Sequence, residues 1–206
     1  MTTTLYLIRH GLTEWNMTNR FQGSSDIPLC DKGREQAKRL SKRMENYPIH
    51  KVYASDLSRA YETAQYIAQP HNIAVKKVPE LREIHFGIWE GLTQEEIVQL
   101  KEYNFTAWKQ SPHDHPFPGE ESFKNVQKRV MAGLEKITKN NQGENIAIVS
   151  HGGSLKLIII SLLNLPLSFY RSFWLGNTSL SIIELRKDRN VLSLLNDTSH
   201  LEDIMQ

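Results

Sequence analysis

The sequence predicts a layered α/β fold: a three-layer α/β/α domain around a mostly parallel sheet. Three observations predict it. Short apolar runs have the length of buried strands, stretches of helical period alternate with them, and two of the runs end in the same His-Gly pair.

Leu5-Tyr6-Leu7-Ile8 reads as a buried strand, followed by a polar loop rich in turn formers from Gly11 to Pro28. Asp31 is placed to cap the next helix, whose Ala37, Leu40 and Met44 share one face. Val52-Tyr53-Ala54-Ser55 is a second strand, and a helix from about Leu57 to Gln69 stops before Pro70. Ile73 to Val78 reads as a third strand with Val75 and Val78 in the core; Glu80 to Leu92 is irregular, and Gln94 to Tyr103 is helical. The prolines of Ser111 to Gly119 make that segment a loop. Ser122 caps a long helix with Phe123, Val126, Val130, Leu134 and Ile137 as its buried stripe. Asn145 to Val149 is another buried strand. Ser154 to Leu165 contains Ile158-Ile159-Ile160, which favours strand, but its length, Gly-Gly entry and Pro166 exit favour a buried helix. Ser179 to Leu185 and Val191 to Leu195 form a terminal hairpin around Asp188-Arg189-Asn190. Residues 1–206 read as one domain, with 92–119 an insertion over the active-site face.

Composition excludes several classes of function. With 25 Lys and Arg against 23 Asp and Glu, the net charge of +2 and the absence of a basic block speak against nucleic-acid binding. The one cysteine, Cys30, cannot form an internal disulfide, which agrees with a reducing compartment. The apolar run at Leu5 stops at Arg9-His10, unlike a signal peptide, and Leu155 to Leu165 falls short of the roughly 20 residues of a membrane span. A cytoplasmic protein without membrane or nucleic-acid partners is expected. The oligomeric state, monomer or homodimer, is not legible.

The chemistry gathers at the strand ends. Ligands of open α/β sheets bind beyond the carboxyl ends of the strands, so His10 and His151 should enter one crevice. Arg59 sits on the first turn of the helix after the second strand, and helix starts favour anions. Two arginines and two histidines suit a phosphate-sized anion, because the guanidinium fork can hold two oxygens. Gly11 and Gly152 would let the backbone approach that anion closely. No metal is required, and no cofactor is expected.

These residues also carry a resemblance. Arg9-His10-Gly11-Leu12-Thr13-Glu14-Trp15-Asn16 resembles the Arg-His-Gly signature of the histidine phosphatase superfamily, the phosphoglycerate-mutase-like proteins. Four further segments match that family's motifs in order: Phe21-Gln22-Gly23 through Asp26-Ile27-Pro28-Leu29, Ser55 to Ala60, Leu81-Arg82-Glu83 with Gly87 and Trp89-Glu90-Gly91, and Ser150-His151-Gly152-Gly153. The resemblance implies that His10 is the nucleophile and becomes phosphohistidine. It implies that Arg9, Arg59 and His151 hold the phosphoryl oxygens, that Asn16 and Gln22-Gly23 add hydrogen bonds, and that Glu83 donates a proton to the leaving oxygen. The second ring nitrogen of His10 should donate to a backbone carbonyl, which fixes the tautomer. The partner implied is a small phosphorylated metabolite.

Family mutases usually read His-Gly-Asn where this chain reads His151-Gly152-Gly153, and they carry a longer segment before the second histidine. The shorter stretch should leave a phosphoenzyme open to water, which favours a phosphatase. A phosphoglycerate mutase is the alternative, and a phospho-ligand binding module without turnover the third. Pro118 to Ser122 resembles a family Gly-Glu-Ser element, with Glu120 in place of a second glycine, and Cys30 stands where many members have Thr or Ser. Phe21, His85, Trp89, Trp108, His113 and His115 are candidates to line the mouth. His113 and His115 with Asp114 suggest a metal site, but the surrounding prolines favour a solvated loop. A cysteine-phosphatase loop from Cys30 would need arginine at position 36, which is Gln36, and no P-loop motif occurs.

Overall fold

The computed structural model describes residues 2–119 and 122–204. In chain order it contains β1 (Thr3–Arg9), α1 (Glu14–Met17), α2 (Asp31–Met44), β2 (Lys51–Ala54), α3 (Ser58–Ala68), β3 (Val75–Lys77), α4 (Gln94–Leu100), α5 (Phe105–Gln110), α6 (Phe123–Lys139), β4 (Asn145–Ser150), α7 (Gly152–Leu162), β5 (Leu180–Leu185) and β6 (Asn190–Asp197). The strands form one sheet in the order β3-β2-β4-β1-β5-β6. β1, β4, β2 and β3 are mutually parallel, and the terminal hairpin adds β5 and β6 antiparallel.

Alternate residues of each strand point to opposite faces, and each face has its own core. Tyr6, Ile8, Val52, Ala54, Ala147 and Val149 pack under α2 and α3 against Leu40, Met44, Ala64 and Ile67. Leu5, Leu7, Ile146 and Ile148 pack on the other side under α6 and α7 against Val130, Leu134, Leu155 and Ile159. α2, the first long helix after β1, therefore lies on one face, and α7, which follows the adjacent β4, lies on the other. That divergence opens a crevice above the carboxyl ends of β1 and β4.

Several local expectations change. Cys30, not Asp31, is the N-cap of α2 and makes no side-chain capping bond; Asp31 is the first helical residue, where its charge favours the helix dipole. Val75 and Val78 are only half-buried, because β3 is a three-residue strand at the sheet edge. The helix from Gln94 ends at Leu100, where Lys101 turns left-handed at φ 57°. The short helix α5 was not foreseen; it is held by Asn104, whose side chain accepts from the Ala107 amide. Ser122 does cap α6, accepting from the Asn125 amide, and residues 154–162 are helical. Glu120 and Glu121 of the Gly-Glu-Ser-like element lie outside the described residues.

The 92–119 stretch packs through aromatic rings. Phe105, Trp108 and Phe117 meet Phe21, Phe86, Trp89 and Phe123 in a contiguous cluster. No helix among the described residues is long and apolar enough to cross a membrane.

Candidate active site

β1 and β4 pair in register with Arg9 beside Ser150, so the next residues, His10 and His151, leave adjacent strand ends together. Their ring centroids are 5.2 Å apart at an interplanar angle of 57°. Both are buried. Nδ1 of His10 lies 2.7 Å from the Gly11 carbonyl oxygen, so the ring proton sits on Nδ1 and donates there. This leaves Nε2 unprotonated toward the cleft that His10 lines. Burial, then the charges of Arg59 and Arg9, hold the His10 imidazole well below the usual histidine range. His151 is held down in the same way by burial, Arg59, His10 and Arg9.

The two arginines are gripped from behind. Arg59 donates from Nη1 to the Ser25 carbonyl and from Nη2 to the Gly23 carbonyl, each at 2.7 Å. Arg9 donates from Nη1 to the Leu175 carbonyl at 2.6 Å. Burial lowers Arg59 to about 10, which leaves it cationic at neutral pH. After these bonds, Arg9 Nε, Arg59 Nε and His151 Nδ1 remain buried without a partner, as does Gln22 Oε1. Buried polar atoms are normally paired, so this concentration gives the site a demand for hydrogen-bond partners.

The cleft has a volume of about 400 Å³ and is bounded by Arg9, His10, Arg59 and Glu83 together with Asn16, Gln22, Gly23 and Gly152. His151 stands just behind that wall, against His10. All nine residues proposed from the motifs therefore meet in one place. Asn16 is also structural: its Oδ1 accepts from Thr13 and Asn177, which closes the capping box of α1.

Other expectations of the site are corrected. Helix starts do not lie open to an outside anion. The Glu83 carboxylate takes the Gly153 and Ser154 amides at the start of α7, each at 2.9 Å, and Asp26 takes the Ser58 amide of α3 at 2.7 Å. Gly11 is required by packing rather than by a ligand, since a Cβ there would lie 2.6 Å from the Gly33 carbonyl oxygen of α2. Among the proposed mouth residues only Phe21 lines the cleft. Trp89 and Trp108 are in the aromatic core, His85 borders a second groove that shares Glu83 with the cleft, and His113 and His115 line another surface hollow. Among the described residues, no group of three His, Cys, Asp or Glu side chains is placed to hold a metal.

The cleft also has walls that the motifs did not mark. Arg20, Phe86, Gln94, Lys156, Tyr170, Trp174, Leu175 and Asn177 all border it. Lys156 alone carried a visible signal, as a charge interrupting an apolar helix. Glu90 is also central to the site's frame: it accepts from the Ser24, Ser25 and Phe86 amides at 2.9 Å each and so shapes the loop that holds Arg59.

A mostly parallel α/β sheet that brings two imidazoles and two guanidinium groups to the switch point between its strands defines a protein of the α/β class with a cationic cleft of anion-binding character. Comparison makes the assignment specific. The sequence profile of the histidine phosphatase superfamily (branch 1) matches residues 5–198, and the chain belongs to that superfamily. It is 36% identical over 197 residues to phosphoserine phosphatase 1 of Hydrogenobacter thermophilus, covering 96% of this chain and 93% of that protein. It is 34% identical over 206 residues to the metal-independent phosphoserine phosphatase of Arabidopsis thaliana, covering 98% and 84%. Among solved structures, Bacillus stearothermophilus YhfR superimposes with a TM-score of 0.90 at 39% identity, covering 97% of this chain and 100% of the other.

Proposed function

We propose that this chain is a metal-independent phosphomonoesterase that hydrolyses small organic phosphates through a phosphohistidine on His10. The observation that supports it best is the set of unpartnered buried donors, Arg9 Nε, Arg59 Nε and His151 Nδ1, around an imidazole whose Nε2 is free. Donors cannot satisfy one another, and a tetrahedral phosphoryl group supplies acceptors on all sides. The arginine cations supply charge stabilisation that many phosphatases draw from metal ions. Two relatives carry phosphoserine phosphatase names, one of them explicitly metal-independent.

In the first step the lone pair of His10 Nε2 forms a bond to phosphorus as the ester P–O bond breaks. The electron pair goes to the leaving oxygen, and protonated Glu83 gives it a proton, releasing the alcohol. In the second step the Glu83 carboxylate takes a proton from water as that oxygen attacks phosphorus. The N–P bond breaks, its electron pair returns to Nε2, and inorganic phosphate leaves. Arg9, Arg59 and His151 hold the three equatorial oxygens through both steps, and Asn16, Gln22 and the Gly23 and Gly152 backbone complete the cradle.

Incubation with phenyl phosphate in the presence of a chelator tests the reading. Phosphate release should continue, and an acid-labile, base-stable phosphoryl group should be trapped on His10. Loss of activity on chelation, or a His10→Ala protein that retains turnover, would overturn it. Interconversion of the two monophosphoglycerates faster than phosphate release would replace it with the mutase reading.

A further inference from the structure

Lys156 is a charged residue in an apolar helix, and the motifs give it no task. It lies on α7 four residues after Gly152, about 6 Å along the helix axis, and so shares that residue's face. Its side chain is 8% exposed and borders the cleft. Nζ lies 4.9 Å from the ring centre of Tyr170, 5.2 Å from Trp174 and 5.8 Å from Phe173. Among the described residues it makes no ion pair and no hydrogen bond; Glu83, the acid in electrostatic range, has its two oxygens held by backbone amides. Aromatic faces offset only part of the loss of hydration of a buried ammonium. A buried cation without a counter-ion beside a ligand cleft marks a place where the ligand brings the counter-ion.

The phosphoryl group is not that counter-ion. Its oxygens would already have two arginines and His151 as donors, whereas Lys156 comes from α7 within the frame of Tyr170, Phe173 and Trp174, and shares the Trp174 ring with Arg9. An anion at Lys156 therefore belongs to the part of the substrate that leaves with the ester oxygen. We infer that Lys156, framed by Tyr170, Phe173 and Trp174, binds a carboxylate on the leaving group, so that the substrate class is carboxylated phosphomonoesters. This rests on the phosphatase reading of the cleft and adds its specificity. Compactness supports a carboxylate over a second phosphate: one ammonium with three donors in a cavity of about 400 Å³ matches a single small anion. Burial, opposed by Glu83 and reinforced by Arg9 and Arg171, lowers the ammonium to about 8, with the neutral Tyr170 phenol beside it. The carboxylate preference should thus be present at neutral pH and weaken above about pH 8.

The test compares pairs that differ only by the carboxylate: phosphoserine with phosphoethanolamine, 3-phosphoglycerate with glycerol 3-phosphate, and carboxyphenyl phosphate with phenyl phosphate. For the wild-type chain the ratio of kcat/KM within a pair should favour the carboxylated member, and in Lys156→Met that ratio should fall about 10- to 100-fold. Lys156→Arg should restore part of it. An unchanged ratio, or an equal loss on both members, would overturn the inference; the second result would place Lys156 at the phosphoryl group. Calorimetric titration of the same pairs into His10→Ala, with and without Lys156→Met, reads the preference without turnover. If the wild-type chain releases phosphate from no member, the phosphatase reading fails, and the titration still decides whether Lys156 selects the carboxylate. Equal affinities there would sink it.

Discussion

Ser55 Oγ lies 2.9 Å from Nε2 of His151, with both residues fully buried. The Leu57 amide donates to the same hydroxyl at 3.3 Å, which leaves the hydroxyl proton available to the imidazole. With Nε2 accepting, the ring proton of His151 sits on Nδ1, one of the unpartnered buried atoms of the site. In the proposed phosphatase, Ser55 would thereby make His151 a donor to the phosphoryl group without touching it. Ser55→Ala should lower kcat/KM about 10-fold on every substrate, and weaken inhibition by inorganic phosphate by a similar factor. Unaltered phosphate inhibition would show that the tautomer does not depend on Ser55.

Acid should destabilise the fold as the pH falls below the ordinary histidine range. His10 and His151 are buried neutral, and their imidazoles are held well below 6.5; His200 is lowered to about 4. Because these folded-state values lie below the unfolded one, the stabilisation is complete above about pH 6.5. It is lost as pH falls below that, where the unfolded chain takes up protons that the folded chain refuses. The slope is about 1.4 kcal/mol per pH unit for each histidine concerned. Denaturant titrations in phosphate-free buffer at pH 7 and pH 5 should show the drop. Adding phosphate should reverse part of it, since the anion binds only the folded site. Equal stability at both pH values would mean that the two rings are already hydrated.

Gly23 connects loop strain to catalysis. It sits at φ +54°, and a Cβ there would lie 2.1 Å from Glu90 Oε1. Glu90 bonds the Ser24 and Ser25 amides, while the Gly23 and Ser25 carbonyls grip Arg59. Gly23→Ala must displace Glu90, so the arginine loosens with the loop. The expected cost is about 1–3 kcal/mol of stability, with kcat falling more than KM rises. Glu90→Gln should show a weaker version of both effects. A Gly23→Ala protein with wild-type melting temperature and kcat would refute the linkage.

The two halves of the site differed in how far they could be read from sequence. The β1 and β4 ends were legible because an apolar run stopping at His-Gly is a local pattern, and Arg59 followed from its place just after β2. The cleft's outer wall was not. Trp174, Leu175 and Asn177 come from a segment without regular structure, and they reach Arg9 and His10 only because β5 pairs beside β1. Such a contact has no sequence period. Asp31 was misread because its acidic side chain suits either the cap or the first turn. Trp89 and Trp108 looked like mouth residues because polarity at a tryptophan is ambiguous; a cluster of rings from four segments, visible only once folded, took them inside.

That cluster gives the last prediction. Trp108 stacks on Phe105 at 5.6 Å and meets Trp89 at 5.0 Å, Phe86 at 5.8 Å and Phe21 at 6.0 Å. Phe21 in turn lines the cleft, so the ring packing of the 92–119 stretch sets the position of one wall of the substrate site. Trp108→Ala removes the centre of the cluster and should cost about 3–5 kcal/mol, a fall in melting temperature on the order of 10 °C. Trp108→Phe is different in kind. The indole Nε1 is buried without a partner, so phenylalanine gives up area but also removes an unsatisfied donor. The two effects oppose each other, and Trp108→Phe should stay within about 1.5 kcal/mol of the wild type. Thermal melts of both variants check the stability claim. A raised KM in Trp108→Ala, with kcat little changed, checks the transmission through Phe21; an unchanged KM in the destabilised protein would show that Phe21 holds its place without the cluster.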